Sequence, residues 1–93
     1  MPSIDIRRRH AKSLKDARKA VEHVAEKLAQ KFDVTCEWNG NNLDFERGGV
    51  HGTIELGKGE VRVVANLGFL MMALKGPIES EIHKVLAKEF GEA

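Results

Sequence analysis

The feature that most constrains this chain is a change in the spacing of its apolar residues at Phe32. Before it, Leu14, Ala17, Val21, Val24, Leu28 and Phe32 recur three or four apart, with Lys15, Arg18, Lys19, Glu22, Glu26, Lys27 and Lys31 between them. That period draws one apolar stripe along a helix whose remaining surface is charged. Beyond Phe32 the period becomes two. Val34, Cys36 and Trp38 alternate with Thr35 and Glu37, then Leu43 and Phe45 alternate with Asp44 and Glu46. Alternation of this kind describes strands that bury one face only. A one-sided helix and one-sided strands satisfy each other by packing, so the pattern predicts a layered domain.

Local punctuation divides the pattern further. Ile4 and Ile6 predict a short opening strand, and Ser13 with Asp16 three residues later predicts a capped helix start. Asn39-Gly40-Asn41-Asn42, Gly48-Gly49 and Gly57-Lys58-Gly59 are turn signals, because Gly and Asn tolerate positive φ. Between them Val50, Ile54 and Leu56 carry one strand, and Val61, Val63, Ala65 and Leu67 the next. Gly52 falls at an inward position, which predicts a bulge or a close helix approach. Pro77 marks the first turn of a last helix with Ile78, Ile82, Val85, Leu86 and Phe90 on its apolar side, ending at Gly91. The expected fold is α+β: an antiparallel sheet of about five strands in the order β-α-β-β-β-β-α, with two helices packed on one face. It occupies residues 1–93 as a single domain.

The 93 residues leave room for one core. The single cysteine, Cys36, excludes an internal disulfide framework, and its place beside Val34 and Trp38 predicts a buried, inert thiol. No apolar leader opens the chain, and its longest apolar run, Leu67 to Leu74, is about half of what crosses a bilayer, so a cytoplasmic protein with no transmembrane segment is expected.

A search for chemistry finds little. Gly52 to Lys58 satisfies G-x-x-x-x-G-K, but Gly59 stands where Ser or Thr would hold magnesium, and the pattern reads on into another strand, which makes it a hairpin. His10, His23, His51 and His83 lack the spacing of a metal site, and no serine sits in a nucleophile elbow. No catalytic residue, metal or cofactor is expected, and the chain is not expected to be an enzyme.

Two surfaces stand out. Arg7, Arg8, Arg9, His10 and Lys12 make the N-terminal quarter basic in a chain whose net charge is +1. Arg7, Arg9 and Lys12 form a candidate anion-binding patch, although charge on an edge strand also guards against aggregation and needs no ligand. Nucleic acid is not an expected partner, since the chain has no Tyr and its only Trp, Trp38, is expected to face inward. The second surface is the run of Phe69, Leu70, Met71, Met72 and Leu74, apolar all round. It could pack between sheet and last helix, line a pocket, meet a second copy, or touch a lipid-like or polymer surface.

The segments Phe45-Glu46-Arg47-Gly48-Gly49-Val50-His51-Gly52-Thr53 and Leu67-Gly68-Phe69-Leu70, running on to Ile78-Glu79-Ser80-Glu81-Ile82, resemble the polyhydroxyalkanoic acid system protein family. The opening Ile4-Asp5-Ile6-Arg7-Arg8 and the helix end Gln30-Lys31-Phe32-Asp33 fit it too. The resemblance implies a small bacterial protein encoded beside genes for making or using polyhydroxyalkanoate, the polyester stored in cytoplasmic granules. It carries no established activity and no catalytic residues. The expectation that follows is a non-enzymatic accessory protein that binds the granule surface or granule-associated proteins. Alternatives are an acyl-ligand module, by fold-level analogy with helical-grip proteins, and a homodimerisation module.

Overall fold

In a computed structural model describing residues 3–91, the chain forms β1 (Ile4–Arg9), α1 (Leu14–Phe32), β2 (Thr35–Asn39), β3 (Asn42–Arg47), β4 (Val50–Gly57), β5 (Glu60–Leu67), a 3₁₀ helix (Phe69–Leu74) and α2 (Lys75–Phe90). The fold is α+β. Its five strands form one antiparallel sheet in the order β1-β5-β4-β3-β2. Three hairpins close on two-residue loops, Gly40-Asn41, Gly48-Gly49 and Lys58-Gly59, each at a turn signal in the sequence. The helix start is also as the sequence reads: Ser13 caps α1, its hydroxyl oxygen accepting from the Asp16 amide at 3.2 Å.

Strand alternation sorts the side chains into two layers. Ile4, Ile6, Leu43, Phe45, Ile54, Leu56, Val61, Val63 and Ala65 turn toward the helices and are buried. They meet Ala17, Val21, Val24 and Leu28 of α1 and Ile78, Ile82, Val85 and Leu86 of α2. The opposite face, with Arg7, Arg62, Thr53, Asp44 and Glu37, carries no helix and stays polar, as a one-sided antiparallel sheet permits. Arg8 points to the helix side and donates to the Gly91 carbonyl at 2.9 and 3.2 Å, closing the C-terminal end of α2 against β1. Gly52 makes no bulge. The β3–β4 register runs through it unbroken, and the space over its Cα holds the ring of Phe45.

Two further expectations are corrected. Leu14, the first residue of the predicted apolar stripe, is 48% exposed, because it borders an open pocket at the β4–β5 turn and not the closed core. Cys36 is not a core thiol. It lies on the helix side of β2, its Sγ 3.8 Å from the Ala25 carbonyl oxygen, yet it is exposed because β2 is the last strand of the sheet and has no neighbour beyond it. Trp38, on the same face, is half-buried.

Candidate functional site

The apolar run from Phe69 to Leu74 folds as a 3₁₀ helix, and its geometry decides which residues it can bury. At three residues per turn, side chains eclipse every third position. Met71 and Leu74 therefore form one column, which packs against the core. Phe69 with Met72, and Leu70 with Ala73, form two columns that face away. Phe69 is 91% exposed and Leu70 87%, and Met72 is also exposed. A short helix that is apolar all round thus buries one side and presents two to solvent.

This apolar tip is held on a built seat. The Gly68 amide donates to the Gly49 carbonyl at 2.8 Å, and the Met71 amide to the Gly68 carbonyl at 2.9 Å. Met71 lies directly over Gly49, where a Cβ would come 2.5 Å from its Cγ. Gly49 also has φ 82°, so backbone conformation and space both exclude a side chain there. Just before β1, the Ser3 hydroxyl accepts from the Leu67 amide at 3.2 Å. An open groove of about 680 Å³ runs beside the tip, lined by Glu46, Arg47, Gly49, His51, Asn66 and Gly68 among others. Glu46 and His51 are directly paired across β3 and β4, with 2.9 Å between Oε2 and Nδ1. Arg47 donates to the Phe32 carbonyl at 2.9 Å, which ties the groove to the end of α1.

Two of the segments that carry the family resemblance, 45–53 and 67–70, therefore meet in space. One supplies the β3–β4 turn and the other the strand end and tip resting on it.

The basic residues lie elsewhere. Arg7 and Arg9 project from the open sheet face of β1, and Lys12 follows in the loop to α1. Arg7 stands opposite Arg62 of β5, whose guanidinium makes two hydrogen bonds to the Asp5 carboxylate at 3.0 and 2.9 Å. That pairing holds the Asp5 carboxyl below its usual range. Ser3 sits beside the apolar tip whereas the His10 amide donates to Gly59 at the other end of the sheet, so about 17 Å of strand separates the tip's end from Arg9 and Lys12. The structure brings together Phe69, Leu70 and Met72 as one exposed surface and turns Met71 and Leu74 inward beneath them. It does not join them to Arg9 and Lys12.

The layer between sheet and helices is filled by side chains such as Phe45, Leu28, Ile54, Ile82 and Leu86, each under 2% exposed. Of the histidines, His23 reaches Glu89 of α2 at 2.7 Å and His51 reaches Glu46, so both are engaged in pairs. Among the described residues no three potential ligands converge as a metal site, and no helix is long and apolar enough to cross a membrane.

What these features define is a two-layer α+β protein with an uncovered polar sheet face and an ordered apolar tip at one end of its strands. The chain belongs to the polyhydroxyalkanoic acid system protein family, whose model matches residues 4–90. No curated protein and no solved structure matches it significantly.

Proposed function

We propose that this chain is a non-enzymatic accessory protein of polyhydroxyalkanoate storage that docks on the granule surface through the 3₁₀ tip. The carrying observation is the exposure of Phe69 and Leu70 on a helix whose other column, Met71 and Leu74, is anchored in the core. A loose apolar loop would collapse onto its own domain, whereas this one is held out. The family supplies the context of the polyester store. Phe69 and Leu70 stand almost fully in solvent, which suits insertion into a deformable apolar surface more than reception of a partner's knob.

Magnitudes fit a reversible contact. Burying Phe69 and Leu70 would contribute about 3–6 kcal/mol, most of which offsets the lost freedom of the protein, so one tip binds weakly and a granule holds many copies at once. Co-sedimentation with isolated polyhydroxyalkanoate granules tests the reading. Phe69→Asp and Leu70→Asp leave the fold intact, by circular dichroism and thermal melting, and abolish sedimentation with the granules. Unchanged sedimentation of both variants would sink the proposal, as would failure of the parent protein to sediment.

A further inference from the structure

The opposite flank of the molecule carries a second surface. β2 is an edge strand, so the outer row of its backbone N–H and C=O groups has no ladder partner among the described residues. Beneath that edge a groove of about 490 Å³ opens between β2 and α1. Its floor is Ala25, Ala29, Cys36, Leu43 and the ring of Trp38. Cys36 and Trp38 have the direction of core residues and lack a neighbouring strand to cover them. The hairpin end is closed by Arg18, whose guanidinium stacks 3.9 Å from the Trp38 ring centroid and donates to the Gly40 carbonyl at 2.9 Å.

We propose that this edge receives an extended, basic segment of a partner protein, which adds to the sheet beside β2 as a sixth strand. Addition of that kind takes its affinity from main-chain hydrogen bonds and its selectivity from pockets for alternate side chains. Here every second side chain of the guest falls into the groove over Ala25, Ala29 and Cys36, small residues that leave room for valine-sized groups.

Charge decides the nature of the guest. Glu22 and Glu26 stand on the helical bank, both exposed, and Glu37 projects from the other face of β2. Of the basic side chains at the groove itself, Arg18 is engaged on Trp38 and the His23 ring on Glu89. The same charges disfavour a second copy of this chain. Symmetric antiparallel pairing of β2 with β2 about its middle residue sets Glu37 against Glu37, and like charges directly opposite are destabilising. The site is independent of the granule reading.

Trp38 is the only tryptophan, so its fluorescence reports the groove directly. The probe is a short synthetic peptide alternating valine and lysine, with a valine–glutamate peptide as its counterpart. The lysine peptide gives a saturable Trp38 response and amide shifts confined to β2 and the Glu22–Ala29 stretch of α1. Charge reversal in a Glu22→Lys, Glu26→Lys double variant, whose fold is checked by circular dichroism, weakens that binding about tenfold. Cys36→Phe, which fills the groove, abolishes it. Three results would overturn the proposal: no saturable response, equal binding of the glutamate peptide, or concentration-dependent shifts at β2 without peptide, which would identify a second copy as the occupant.

Discussion

The ring of Phe45 lies against the bare Cα of Gly52, its directly paired neighbour across β3 and β4. A Cβ at position 52 would come 2.7 Å from Phe45 Cε2 and 2.8 Å from the Val64 carbonyl oxygen, and the second of these is backbone that cannot step aside. Gly52→Ala should therefore destabilise the domain by about 1–3 kcal/mol, despite the strand preference of any residue over glycine. Phe45→Ala should cost about 3–5 kcal/mol. Denaturant unfolding of the two single variants and the double variant checks the coupling: with Phe45 removed, Gly52→Ala costs less, and what remains is the clash with the Val64 carbonyl.

Glu81 is the one buried charged residue among those described, and its Oε1 lies 3.1 Å from Lys31 Nζ across the contact between α1 and α2. Lys31 is itself half-exposed, which limits what the pair contributes. Removing the lysine alone leaves a poorly solvated carboxylate without its partner. Lys31→Met is expected to cost about 1–2 kcal/mol, and a Lys31→Met, Glu81→Met double variant to recover most of it. Chemical denaturation of the set decides the matter, and additive losses would show that the two groups do not interact.

His10 gives the fold a pH dependence of known sign. Its Nδ1 accepts from the Lys12 amide at 3.1 Å, its ring lies 5.0 Å from that of Phe90, and its Nε2 is buried without a hydrogen-bond partner. Burial, with the nearby Lys12 charge, pushes His10 below the ordinary histidine value of 6.5. The unfolded chain thus binds protons more readily than the folded one, and stability falls as pH drops through 6.5 toward the lowered folded value. His10→Asn, which keeps an acceptor for the Lys12 amide, should flatten that part of the curve. Thermal melts of both proteins between about pH 8 and 5 provide the comparison, and parallel curves would contradict this role for His10.

Cys36 should react with a thiol reagent in the folded protein, because it is exposed. Partial cover from α1 pushes its pKa above the ordinary 9.0, which lowers the thiolate fraction at neutral pH. The expected outcome is complete but slow modification under native conditions, slower than for the same protein in denaturant. A thiol that resists the reagent until unfolding would mean that the β2 edge is covered.

Much of this architecture could be read from residue spacing alone. The stripe from Ala17 to Leu28 located α1 and its buried face, and Asn-Gly and Gly-Gly pairs located hairpins with two-residue loops. Both signals are local, since a helix period or a turn residue acts on its own few neighbours. Gly52 was marked as unusual by the same alternation, but only the paired strand showed that an aromatic ring takes its space. For the candidate site, the sequence pointed to the apolar run and could not say which of its side chains were free.

The sequence by itself determined the element types, their order and the face each strand turns inward, because these follow from periods of 3.6 and 2 within single segments. Tertiary structure alone decided what was left uncovered. Cys36 and Trp38 carry the pattern of core residues, yet β2 ended at the sheet edge because β5 paired with β1 on the far side and, among the described residues, no strand lies beyond β2. Met71 became an anchor and Phe69 an exposed tip because the run wound with three residues per turn onto Gly49, a residue 20 positions or more away in sequence. Burial depends on contacts between distant segments, and a local period records only the direction in which a side chain points.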